Sequence, residues 1–186
     1  MRVLVIDAYA AGDPDAALVD AACERLRQGG HAVDLLELRS GGFDRFMSAD
    51  EHRAYETEAP LLADAAKDSA ARVQASEALL FCYPTTLFGV PPILKGWLER
   101  VMVMGVAFKL DDARRVRPAL HNVRRLGAVT TTAHRRSRIW KARDGGYRTL
   151  MRTLRLNCSP MCRTTFIRLA CGQATPTQAI AKLSRW

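Results

Sequence analysis

Two stretches of this chain, RVLVID at residues 2–7 and EALLFCY at residues 77–83, are apolar almost without a break. A strand with one face in water alternates apolar and polar residues, so an unbroken run needs cover on both faces, as in a parallel sheet. Parallel neighbours in turn require crossover connections, usually helices. These two runs therefore point to a layered α/β chain before any motif is considered.

The intervening sequence supplies the crossovers. DAALVDAACERLRQGG places Leu18, Val19, Ala22 and Leu26 on one helical stripe and stops at Gly29 and Gly30. AVDLLEL at 32–38 reads as a second strand, and SADEHRAYE as a short helix with Ser48 and Glu51 spaced as a capping box. LLADAAKDSAARVQA reads as a helix, and PPILKGWLERVMVM as another with proline in its first turn. RRLGAVTT at 124–131 and TTFIRLA at 164–170 are expected as the fourth and fifth strands, with helices near 146–157 and 175–185. Strict alternation of this kind predicts one domain over residues 1–186, a doubly wound five-stranded parallel sheet in the order 2-1-3-4-5 with helices on both faces.

Such sheets bind ligands beyond the carboxyl ends of their strands, where the order reverses between strands one and three. That crevice is bounded by residues 8–16, 84–91 and 131–146. Loops run over the surface and are ordinarily polar, yet PTTLFGVPP at 84–92 carries Leu87, Phe88 and Val90. An apolar loop at a switch point is expected to be one wall of a pocket for a planar ring.

Charge is distributed unevenly around this frame. The net charge is +9; residues 1–60 hold 12 acids and 6 bases, whereas residues 109–168 hold 16 bases and 3 acids. The basic half is either a solvated face, a surface for a phosphorylated small molecule, or one for nucleic acid. It lacks interleaved aromatics and any nucleic-acid motif, so no nucleic-acid partner is expected. The densest segment, HRRSRIWKARDGGYR, sets Arg135, Arg136, Arg138, Lys141 and Arg143 around Trp140. It reads either as a solvated loop or as a contact for a phosphorylated cofactor or another anionic substrate, carried by Arg135, Arg136 and Arg138.

Other classes are disfavoured. The most apolar window, residues 78–98, contains Pro84, Pro91 and Pro92, so no membrane insertion is expected. MRVLVIDAY does not read as a signal peptide, and a cytoplasmic location follows as the expectation. Cys23, Cys82, Cys158, Cys162 and Cys171 form no CxxC pair and read as buried thiols. His31, His52, His121 and His134 have no metal-ligand spacing, so no metal is expected; His134 alone falls in a site loop and is a candidate for acid–base work. GxSxG, GxGxxG and GxxxxGK[ST] are all absent.

FCYPTTLFGVPPILKGWLERV followed by GVAF resembles the flavin-binding segment of the flavodoxin-like NAD(P)H:quinone oxidoreductase (NAD(P)H dehydrogenase) family, of the short bacterial type. Weaker similarity extends over the first strand and helix, GGFDRFMSADEHRAY and VTTTA. The resemblance implies a flavodoxin-like fold and a homodimeric flavoprotein enzyme that binds FMN or FAD. It implies hydride transfer from NADH or NADPH through the flavin to a quinone or similar small-molecule acceptor. It places Pro84, Thr85, Thr86, Leu87 and Phe88 beside the isoalloxazine ring and Thr130, Thr131, Thr132 and Ala133 at its pyrimidine side. It assigns Tyr9, Asp13, Asp15, Ala16 and Ala17 to the phosphate-binding loop, and Trp97 to a dimer contact.

The chain departs from this family in two places. Tyr9 stands for a histidine, and Asp13, Pro14 and Asp15 stand where Ser-Phe-Asn holds the flavin phosphate. Asp13 or Asp15 either caps the helix or repels a phosphate from its N-terminus. Thr132 and Ala133 replace a Gly-Gly turn, which narrows the site. Two alternatives to the reductase therefore stand: a diverged enzyme of a specialised pathway with altered or lost flavin binding, or an ancillary regulatory subunit of an ion-efflux system.

Overall fold

The structure is a computed structural model that describes residues 1–40, 43–44, 46–55, 57–60, 62–172 and 180–186, with Arg136, Ser184 and Arg185 placed by backbone alone. Its sheet contains β1 (Arg2–Asp7), β2 (Ala32–Glu37), β3 (Ala78–Pro84), β6 (Arg125–Thr132) and β7 (Arg163–Ala170). All neighbours are parallel, in the order β2-β1-β3-β6-β7. This is the 2-1-3-4-5 order expected from the alternation.

Burial follows from position in that order. Val3 to Ile6 of β1 and all of Ala78 to Tyr83 in β3 are buried, because both strands lie inside the sheet. The edges β2 and β7 are half-buried, and their sequences carry Asp34 and Arg168. Alternate side chains serve two layers. Leu4, Ile6, Leu79, Phe81, Tyr83 and Leu126 pack beneath α3 (Asp64–Ala75), α4 (Pro92–Val101) and the helical stretch from Gly145. Val3, Val5, Leu80, Cys82 and Val129 pack against α1 (Ala17–Gln28) and the helix Ile180–Arg185.

Gly127 shows how closely the second layer sits: a Cβ there would lie 2.3 Å from the Trp186 ring. Trp186 is held across the sheet by its indole N–H to Thr165 Oγ1 at 3.1 Å and by His31 at its carbonyl.

The short helix α2 (Ala49–Ala54) carries the capping box read from the sequence. Ser48 Oγ accepts from Glu51 N–H at 3.1 Å, and Glu51 returns the bond to Ser48 N–H at 2.8 Å. The other oxygen of Glu51 receives Arg100 Nε and Nη2 at 3.0 and 2.7 Å, in an ion pair less than a tenth exposed at either end. Arg100 also donates to Asp44 O and lies over the Phe43 ring. One guanidinium thus ties α2 and the preceding loop to α4.

Several expectations are corrected. Residues 136–142 form a helix, α5 (Arg136–Ala142), where the sequence read as loop; its buried Ile139 anchors it, and Arg143 ends it in the left-handed region. The antiparallel hairpin of β4 (Phe108–Leu110) and β5 (Val116–Pro118) gave no periodic signal. It is organised instead by Asp111, whose carboxylate takes Arg115 and Ala113 N–H and pairs with Arg115 and Arg117. The helix expected near 146–157 exists but changes pitch, from the turn α6 (Gly145–Tyr147) through a π-helix, Arg148–Thr153, to a 3-10 helix, Leu154–Asn157. Of the last expected helix, residues 180–185 form a 3-10 helix and 175–179 lie outside the described residues. The Trp97 side chain is wholly buried against Phe81 and belongs to the core of the chain. Cys171 is exposed, unlike the other four cysteines. Among the described residues, no helix is long and apolar enough to cross a membrane.

Candidate functional site

The carboxyl ends of β1, β3 and β6 meet as expected, and hydroxyl groups stitch them together. Tyr9 is buried at the end of β1 with its hydroxyl 3.3 Å from Thr131 Oγ1. Burial, against the pull of that bond, pushes the Tyr9 phenol well above its ordinary value. Thr85 Oγ1 lies 2.7 Å from Thr130 Oγ1, and Thr85 N–H donates to Thr131 O at 2.8 Å. Thr132 Oγ1 accepts from His134 N–H. Thr130, Thr131 and Thr132 are all buried, whereas Ala133 is exposed. Tyr9 is therefore a brace within the crevice floor, away from the surface of the loop that follows it.

The apolar loop after β3 is a tight two-residue turn. Thr86 and Gly89 exchange both backbone hydrogen bonds, at 3.1 and 2.8 Å, and the two central residues, Leu87 and Phe88, have φ of 44° and 58°. Positive φ at both positions is the signature of a type I′ turn, which favours Asn-Gly. Side chains other than Gly, Asn or Asp are costly there, by about 1–2 kcal/mol each. Leu87 is 93% exposed, so no packing within the chain repays its strain. Phe88 instead stacks on His134, with ring centroids 4.2 Å apart and planes 21° from parallel. Phe88 O accepts Gly145 N–H at 2.7 Å, which joins this turn to the start of α6.

At the α1 end, neither aspartate caps the helix. The N-cap is Ala16, without a side-chain bond. Asp13 Oδ1 accepts from Asp15 N–H at 2.9 Å and Asp13 O from Ala16 N–H at 3.0 Å. Asp15 Oδ1 accepts from Gly172 N–H at 3.3 Å, so the turn after β7 rests on this loop. Two carboxylates thus stand at the helix N-terminus, and two of the nearby amides are engaged within the loop.

Arg135 and Arg138 are exposed at the first turn of α5, and Arg136 opens that helix with a side chain outside the described set. Neither Arg135 nor Arg138 is among the described residues that line a wide cavity nearby. That cavity, about 960 Å³, lies between α5, the Gly145–Thr153 stretch and β7; Ile139, Trp140, Arg143 and Asp144 of its lining come from the 131–146 segment expected to bound the crevice, whereas the residues assigned to the flavin itself are not among the described residues that line it. Sequence reasoning missed it because its walls come from positions as far apart as Ile139 and Lys182. The signal that could have found it was the basic, aromatic run itself, of which Trp140 and Arg143 do line the cavity. Among the described residues, no group of three or more His, Cys, Asp or Glu is placed to hold a metal.

Comparison with known proteins places this geometry. The model of the flavodoxin-like fold family matches residues 1–181. A ribosyldihydronicotinamide dehydrogenase [quinone] of Pongo abelii is 38% identical over 61 residues, 33% of this chain and 26% of that protein, so the chain matches well under two thirds of that relative's length. The solved NAD(P)H:quinone oxidoreductase of Methanothermobacter marburgensis superposes with a TM-score of 0.77 over 100% of this chain and 95% of its own, at 18% identity. An FMN-dependent NADH-azoreductase of Bacillus anthracis, solved with FMN, gives 0.71 over 100% and 95%, at 12% identity. With its strand order, its switch-point crevice and a family match over nearly its whole length, the chain belongs to the flavodoxin-like fold family.

Proposed function

We propose that this protein is a flavin-dependent oxidoreductase that takes hydride from NADH or NADPH and delivers two electrons to a quinone or a related electrophile. The observation that carries this reading is the Leu87–Phe88 turn, where an exposed apolar side chain is held in a costly conformation at the switch point. Strain of that kind is kept where it serves a site. The named activities of the Pongo and Methanothermobacter relatives agree with it.

At the ring end, the apolar side chains of Leu87 and Phe88 are the candidate wall for an isoalloxazine, above a floor braced by Thr130, Thr131 and Thr132, whose hydroxyls are engaged within the chain. Flavin, when bound, supplies the hydride exchange itself. The chain's part is to hold the ring against the turn and to keep water from it. Phe88 and His134 must open their stack for a ring to enter between the two loops.

The phosphate end fits less well, and this favours a second reading, a flavodoxin-like enzyme that retains flavin weakly or not at all. Visible absorbance of the purified protein, before and after adding FMN or FAD and removing the excess, separates the two. Retained flavin bleached by NADPH supports the reductase; no retained flavin favours the second reading. Replacing both Asp13 and Asp15 by serine removes two negative charges beside the phosphate position and is expected to tighten FMN binding roughly tenfold. Unchanged affinity, measured by fluorescence quenching of FMN, would place the phosphate elsewhere.

The turn offers its own test. Leu87→Asn, which suits the left-handed region, is expected to raise stability by about 1 kcal/mol while loosening flavin. Urea unfolding of the flavin-free protein measures the first effect, and flavin titration the second.

A further inference from the structure

We propose that the cavity between α5, the Gly145–Thr153 stretch and β7 is a nucleotide-binding site, taking an aromatic base against Trp140 and two or more phosphates on Arg143, Arg148, Arg152 and Lys182. It uses none of the residues assigned to the flavin and stands independently of that reading.

Charge is the first argument. Among the described residues, the lining holds five cations and one carboxylate, Asp144. Asp144 is consumed by an ion pair with Arg168 and by Tyr147 N–H, which it accepts at 3.0 Å. None of the four remaining cations forms an ion pair among the described residues. All four are exposed and border one concavity from three separate elements, and a concavity edged by charge of one sign raises the local concentration of anions.

Construction is the second argument. Arg148 and Arg152 lie on the π-helix, a rare arrangement that tends to occur at functional sites. Arg143 is held in the left-handed region at φ 54°, which ends α5 beside the cavity. The floor is fixed by Phe166, whose ring meets Tyr147 edge-on at 5.2 Å and lies under the Arg168 guanidinium at 5.0 Å.

Ligand chemistry follows from both. Arginine forks match phosphate oxygens in pairs, and Trp140, 80% exposed at the rim, presents a free aromatic face. The volume of about 960 Å³ is at the upper end of small-molecule sites, about 300–1,000 Å³. A nucleotide carrying a di- or triphosphate satisfies charge, stacking and size together; a bare anion leaves the aromatic rim unused.

Isothermal titration of the full chain with ADP, adenosine and pyrophosphate tests this. The expected result is saturable binding of one ADP per chain, tighter than either fragment. Arg148→Ala/Arg152→Ala should weaken ADP roughly tenfold or more, with circular dichroism and flavin retention unchanged. Trp140→Ala should weaken ADP and leave pyrophosphate unaffected. The proposal is overturned by absence of saturable ADP binding, by ADP binding indifferent to the arginine pair, or by pyrophosphate binding as tightly as ADP. Single-stranded oligonucleotide binding that tightens with length beyond ADP would overturn it in favour of nucleic acid. ADP binding without flavin retention would sink the reductase reading alone.

Discussion

Glu51→Ala is expected to destabilise the protein by about 3–5 kcal/mol, because it strands the buried Arg100 guanidinium without its partner. It also removes the reciprocal cap on Ser48 N–H. Urea unfolding should show a lower midpoint with an unchanged slope. The double replacement Glu51→Leu with Arg100→Met should cost much less than the sum of the single changes, since no charge is then left buried. A fully additive double mutant would show that the pair does not act as a unit.

The same carboxylate sets an acid limit. Burial works to raise the Glu51 carboxyl, but the Ser48 N–H and the Arg100 guanidinium override it and hold the group below the ordinary 4.5. A group lowered on folding contributes its full stability above the unfolded value and loses it as pH falls through the folded one. Stability should therefore decline below about pH 4.5, and Glu51→Gln should flatten that decline.

Trp97→Ala is expected to cost about 3–5 kcal/mol, because the indole is wholly buried against Phe81 and the hole cannot collapse beneath the sheet. Trp97→Phe should cost clearly less: it leaves a smaller cavity, and it removes an indole N–H that is buried without a partner. The dependence of the unfolding midpoint on protein concentration should be the same in both variants as in the parent. A midpoint that rises with concentration in the parent and not in Trp97→Ala would restore this residue to a subunit contact.

Trp97 also shows where sequence reading stops. Leu94, Trp97, Leu98 and Val101 fall on one stripe of α4, and periodicity reports only that the stripe is covered, by core or by partner alike. The strands were legible because RVLVID and EALLFCY admit few other arrangements, and Ser48 with Glu51 was legible because a capping box is local. Arg100 was not, since its partner is 49 residues away. At the site, Pro84 to Phe88 could be assigned to the crevice from their apolar character. The left-handed backbone of Leu87 and Phe88 was hidden, because Leu and Phe are not the residues such a turn selects. The cavity beside β7 was hidden for a simpler reason: no window of sequence contains Arg143, Arg168 and Lys182.

The basic groove along β7 has one more consequence, and it concerns crowds of these molecules. As an edge strand, β7 has no neighbour on its outer side among the described residues, and an unpaired edge is a template on which a second copy can continue the sheet. Arg163 on the strand and the arginines beside it mean that two such edges would meet with like charge against like. At low ionic strength that repulsion keeps copies apart; salt that shortens the Debye length to a few ångströms removes it. A polyanion seated in the groove would both neutralise the charge and cover the edge, exchanging an electrostatic guard for a physical one.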